Sequence, residues 1–195
     1  TEQEKNAWKK DYLFLLKNIA YYSKKKRLLL KNPHNTGRVK ELLELFPDGK
    51  FIFIHRDPYT VFRSTKKLYN RMISSQMLQH CSQREIEKFI LDDNAKILRK
   101  YLKERDLIPK GQLVEIGFDD LENRPLDTME RIYQNLGLRG YEDARPSMVN
   151  YLESVKKYKR NKYRPLPSAK LKKLHSAWDF WFKEFGYQMQ GQAGP

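Results

Sequence analysis

Cysteine is nearly absent: Cys81 stands alone among 195 residues, which excludes an internal disulfide framework and a cysteine zinc site. Long apolar runs are lacking too. No window is long and apolar enough to cross a bilayer as a helix, and the opening TEQEKNAWKK does not look like a secretory leader. These absences are read as a cytoplasmic protein, or a Golgi-lumen protein if the source is eukaryotic. Internal repeats, low-complexity blocks and linkers are missing as well, so residues 1–195 are read as one domain, with 188–195 as a flexible tail.

What the sequence has in excess is positive charge. Lys and Arg number 39 against 24 Asp and Glu, for a net charge of +15. A field of that sign attracts nucleic acid, anionic lipid, acidic polysaccharide or a multiply phosphorylated nucleotide, and does not choose among them. Hydrophobic content of 39% with 13% aromatics argues for a folded chain with a substantial core. A mean hydropathy of −0.83 puts many charges on its surface.

Periodicity organises the chain. Trp8, Tyr12, Leu15, Leu16, Ile19 and Tyr22 share one helical face over residues 2–26, closed by Lys24-Lys25-Lys26-Arg27. RLLLK predicts a buried strand at Leu28–Leu30. NPHNTG breaks it and VKELLELF is helical. FIFIH has no polar alternation, as expected of a strand covered on both faces. Pro58 opens another helix, and a long one is expected from Gln83 to Arg105. LVEIGF predicts a third strand, with Asp119 and Asp120 as caps of the helix after it. PLDTMERIYQNLGL and SAKLKKLHSAWDFWFKEFGY are amphipathic helices, the last buried through Trp178, Trp181, Phe182 and Phe185. Strands alternating with helices predict an α/β fold, a parallel sheet flanked by helices.

In such a sheet, ligands gather where strands run into helices, and free N–H groups there favour anions. Lys31–Gly37 and His55–Ser64 occupy those places. Arg56 carries a planar fork of donors suited to phosphate, and Ser64 adds a hydroxyl eight residues on. The alternative pairs Arg56 with Asp57 or another carboxylate and leaves Ser64 as a surface helix residue.

The stretch KNPHNTGRVKELLELFPDGKFIFIHRDPYTVFRS resembles the central part of the sulfotransferase family, in its bacterial-type branch. VEIGFDDLENRPLDTMERIYQNLGL and the closing AWDFWFKEFGY resemble two later segments of that family, in the correct order. The resemblance implies a P-loop-nucleotide-hydrolase-like sulfotransferase fold. It also implies transfer of a sulfuryl group from 3′-phosphoadenosine 5′-phosphosulfate to a hydroxyl or amine of an acceptor, such as a carbohydrate, lipid or small metabolite. It assigns the donor's 3′-phosphate to Arg56 and Ser64, with Arg160 of the basic loop KYKRNKYR as a further contact. Lys31 and His34 loosely match the family's pair for transfer and proton removal. His55 is expected to be a packing neighbour, and His80 and His175 to face solvent or a groove. No metal is expected, since Lys and Arg supply the positive charge.

One departure is informative. The family's Pro-Lys-Ser/Thr-Gly loop, which cradles the 5′-phosphosulfate, has no counterpart here. Pro109-Lys110-Gly111 precedes a predicted strand instead of following one, so it is not that loop. The expectation is an incomplete N-terminus, with a further N-terminal segment of the same protein as a partner. Turnover by this stretch alone is thereby put in question. The other expected partners are the donor nucleotide and a hydroxyl-bearing acceptor, which the positive charge suits to an acidic one, with peripheral membrane contact and no specific nucleic acid. Two alternatives stand beside this reading: a non-catalytic nucleotide-binding remnant, and a basic nucleic-acid-binding module.

Overall fold

The computed structural model describes residues 1–24, 27–76, 80–158 and 163–191. In chain order come α1 (Glu2–Ser23), a 3-10 helix Pro33–Gly37, α2 (Val39–Leu45), β1 (Phe51–His55), α3 (Pro58–Gln76) and α4 (Gln83–Glu104). A 3-10 turn leads to β2 (Leu113–Gly117), followed by α5 (Phe118–Asn123), α6 (Pro125–Asn135), α7 (Tyr141–Val155) and α8 (Ser168–Phe185).

The two strands pair in parallel, with Phe51 opposite Leu113 and His55 opposite Gly117. Because side chains alternate across a strand, Phe51, Phe53 and His55 share one face and Ile52 and Ile54 the other. On the first face Tyr101 of α4 stacks on Phe53 at 4.0 Å between ring centroids. The main core continues outward through Tyr59 and Phe62 of α3, Ile86 and Ile90 of α4, and Leu174 and Trp178 of α8. Over β2 the opposite face is closed by α6, whose Ile132 packs with Val114, Ile116 and Leu136. Over β1 the expected cover on this face is missing among the described residues, and Ile54 is 46% exposed.

Local chemistry sets the element boundaries. Ser82 and Glu85 form a reciprocal capping box at the start of α4. The Asp57 carboxylate accepts the Thr60 backbone N–H at 2.7 Å and so begins α3, with Pro58 in its first turn. Gly186, at φ 68°, ends α8 in the left-handed conformation that glycine adopts without strain.

Several expectations need correction. Residues 28–30 form no strand: they pair with neither β1 nor β2, and Leu29 is 88% exposed. Three apolar residues in a row do not make a ladder without a neighbouring strand to bond. The first helix ends at Ser23, where Lys24 turns left-handed at φ 53°; Lys25 and Lys26 lie outside the described residues. Asp119 and Asp120 sit inside the first turn of α5 and make no cap bond, because Gly117 holds the cap position. His175 does not face solvent alone. It shares a hydrogen bond with Tyr59, whose hydroxyl oxygen also accepts the Gln190 N–H at 2.8 Å. That bond, with Met189 packed on the core, ties down residues expected in a frayed tail. The closing residues 192–195 lie outside the described residues.

Candidate functional site

At its carboxyl end β1 delivers His55, Arg56 and Asp57, and β2 delivers Gly117 and Phe118 beside them. The Arg56 guanidinium carbon lies 3.9 Å from the Phe118 ring centroid. Stacking of this kind fixes the plane of the guanidinium and leaves its N–H edge available. Among the described residues Arg56 makes no ion pair. Asp57, the alternative partner, spends its carboxylate on the start of α3. Ser64 is exposed two turns into α3 and makes no hydrogen bond to Arg56. The geometry leaves a donor fork and a hydroxyl accessible near the strand exits, at the amino end of a helix. An oxyanion is the chemistry this arrangement favours.

His55 is bound more closely into this end of the sheet than its expected packing role suggests. Its ring stacks on Phe185 at 4.4 Å, and its Nδ1 shares a 2.8 Å hydrogen bond with Tyr187 Oη. A Cβ at Gly117 would lie 3.5 Å from His55 Cε1, an ordinary packing distance, so the ring sits directly against β2. Burial pushes the His55 pKa down, and the carboxylates of Glu115, Asp120 and Asp119 oppose that in part. Burial, then Asp119 and Asp57, push the Tyr187 hydroxyl up, with Arg56 acting the other way. Tyr187 therefore stays protonated, and it ties the end of α8 to the exit of β1. The signal for it in the sequence is the terminal FGY.

Lys31 and His34 are both exposed, on the approach to and within the 3-10 helix. Asn32 Oδ1 accepts the His34 backbone N–H at 3.0 Å, while the imidazole has no partner among the described residues. This segment is anchored to α4, where Lys100 donates to the Gly37 carbonyl at 2.7 Å. No hydrogen bond, ion pair or ring contact among the described residues joins Lys31 or His34 to Arg56 or Ser64. Arg160 lies outside the described residues. Its neighbours Tyr163 and Arg164 do reach α3, where Arg63 lies 5.6 Å from the Tyr163 ring centroid and donates to the Arg164 carbonyl at 3.4 Å. Asp120 pairs with Arg124 at 2.7 Å, and that partner holds its carboxyl below the usual range. Among the described residues no cluster of His, Cys, Asp and Glu is arranged to hold a metal ion.

A family model described as "Sulfotransferase family" matches residues 4–143. The omega-hydroxy-beta-dihydromenaquinone-9 sulfotransferases Stf3 of Mycobacterium bovis and Mycobacterium tuberculosis are each 34% identical over 161 residues. That alignment covers 83% of this chain and 41% of each relative, so the chain spans about two-fifths of their length. The crystal structure of sulfotransferase STF9 from Mycobacterium avium matches with a TM-score of 0.71 at 21% identity, over 84% of this chain and 43% of that one. The architecture shared with that neighbour is a parallel sheet flanked by helices.

Proposed function

Because the chain belongs to the sulfotransferase family, we propose that the protein transfers a sulfuryl group from 3′-phosphoadenosine 5′-phosphosulfate to a hydroxyl group. The observation that carries the reading is Arg56: a guanidinium at a strand exit, stacked on Phe118 and paired with no carboxylate among the described residues. Arg56 and Ser64 hold the 3′-phosphate, by charge-assisted and neutral hydrogen bonds respectively, and Arg160 adds a further cation. The donor fork of Arg56 and the hydroxyl of Ser64 fit that phosphate.

The donor supplies an electrophilic sulfuryl group. In the transfer, its bond to the nucleotide oxygen breaks and a new sulfur–oxygen bond forms to the acceptor. His34 takes the acceptor's proton on its imidazole, whose nitrogens have no competing partner among the described residues. Lys31 places a positive charge where negative charge gathers on the departing oxygen. For the acceptor we favour an alcohol carried on an isoprenoid lipid, since the similar Stf3 proteins are named for omega-hydroxy-beta-dihydromenaquinone-9.

Calorimetric titration with adenosine 3′,5′-bisphosphate tests the reading. Binding is expected, with Arg56→Ala weakening it about 10- to 100-fold, the worth of a charge-assisted hydrogen bond. Equal affinity in the wild type and the variant removes Arg56 from the site.

A further inference from the structure

Only Arg56 and Asp57 connect β1 to α3, and the far end of the chain fastens to both sides of that connection. Past α8, Gly186 reverses the backbone, and the Tyr187 N–H donates to the Phe182 carbonyl at 2.9 Å. The Tyr187 hydroxyl then meets Nδ1 of His55, the residue before Arg56, at 2.8 Å. Three residues on, the Gln190 N–H donates at 2.8 Å to the hydroxyl of Tyr59, the residue after Pro58. Met189, between them, packs on the main core. Residues 187–190 thus clasp the exit of β1 to the first turn of α3.

Both fastenings are firm. Tyr59 is 1% exposed and shares its hydroxyl with His175 Nε2, so Gln190 bonds to a group that cannot swing away. The His55 ring lies between Phe185, stacked at 4.4 Å, and the edge of Tyr187 at 5.6 Å. Burial keeps the Tyr187 hydroxyl protonated and the His55 imidazole neutral, so the phenol donates and Nδ1 accepts.

Tyr187 makes no hydrogen bond to Arg56 among the described residues, since its hydroxyl is committed to His55. Its leverage is on the backbone. Each residue of the connection has two soft dihedrals, so the direction of the Arg56 side chain depends on how His55 and Tyr59 are held. A guanidinium held ready loses less freedom when an anion binds, and the saving appears as affinity.

We propose that the Tyr187–Gln190 clasp positions Arg56 for the donor's 3′-phosphate, with Tyr187 as a positioning residue and not a phosphate contact. The preceding reading supplies the identity of the anion; the clasp itself rests on its two fastenings.

Titration of single and double variants with adenosine 3′,5′-bisphosphate tests it. Tyr187→Phe removes one hydroxyl and keeps the ring, and Tyr59→Phe does the same at the second fastening. Each is expected to weaken binding about fivefold, the net worth of one hydrogen bond. In an Arg56→Ala background the same changes are expected to stay within about twofold, because their effect runs through the missing guanidinium. Leu16→Ala lowers stability through α1 and is expected to keep wild-type affinity. Arg56 also carries a signature of its own. The Phe118 ring, with its centroid 3.9 Å from the guanidinium carbon, displaces the side-chain proton resonances by its ring current. In nucleotide-free protein that displacement is expected to shrink in Tyr187→Phe and to persist in Leu16→Ala. Wild-type affinity of Tyr187→Phe, undiminished losses in the Arg56→Ala background, or an unchanged ring-current shift in Tyr187→Phe would each overturn the proposal. The two readings fail separately. A moved Arg56 signal in a protein that binds no nucleotide sinks only the donor site. Nucleotide binding that falls with Arg56→Ala but not with Tyr187→Phe sinks only the clasp.

Discussion

His55 and Arg56 are adjacent in sequence, and their environments divide the labour at the strand exit. Arg56 holds its guanidinium carbon over the Phe118 ring and makes no ion pair among the described residues. His55 turns the other way, into Phe185 and the Tyr187 hydroxyl. That burial has a consequence for stability. It holds the folded-state pKa of His55 below its ordinary value near 6.5, so the unfolded chain takes up the proton first as the pH falls. The stability that neutral His55 contributes is therefore complete above about pH 6.5 and is lost as the pH falls through the folded-state value. The nearby carboxylates of Glu115, Asp119 and Asp120 soften this loss without reversing its direction. Urea unfolding at pH 7.5 and 5.5 is expected to show a smaller acid loss in His55→Gln than in the wild type. Equal losses would place the acid sensitivity elsewhere.

At the scale of the element, the last helix anchors the core. Trp178 is fully buried where α8 bends, at φ −120°, and its indole N–H donates to the Leu91 carbonyl of α4 at 2.9 Å. Trp178→Ala is expected to cost about 3 to 5 kcal/mol in chemical denaturation; a loss under about 1 kcal/mol would mean that the site collapses around the cavity. The burial of this helix was legible because Trp178, Trp181 and Phe182 fall on one helical face. FIFIH and LVEIG were legible too, as apolar runs bounded by turns. LLL carries the same local signal and fails as a strand, because pairing is not written in a segment's own composition. The α7 helix was not foreseen: Pro146 inside it reads as a breaker, and it buries no residue that would mark an apolar face. Arg56 and Ser64 were read from one short segment, whose strand and helix the structure contains. Tyr187 reaches it from 132 positions away in the chain, a distance that periodicity cannot span.

Across the whole molecule, packing is uneven. One core joins α3, α4 and α8 to the first face of the sheet, and a smaller cluster holds α6 to β2. The α1 helix shares little of either. It is 22 residues long and buries only Leu16, while Phe14 is 68% exposed, with Leu15 and Ile19 exposed as well. Its attachments are α2, where Lys9 pairs with Glu44, and the Arg38 guanidinium 4.9 Å from the Trp8 ring centroid. A helix held mainly by its own hydrogen bonds opens without unfolding the rest, since isolated helical stability is marginal. Native-state hydrogen exchange is therefore expected to release the amides of α1 at least about 100-fold faster than those of α4, whose Ile86, Ile90, Leu98 and Tyr101 are all buried. The capping box of Thr1 and Glu4 slows fraying at the first turn but adds no tertiary contact. Matching protection along α1 and α4 would mean that α1 is coupled to the core by more than Leu16 and its contacts with α2. Faster release in α1 alone would mean that its exposed Phe14, Leu15 and Ile19 are free to pack against another surface while the sheet and the strand exits stay intact.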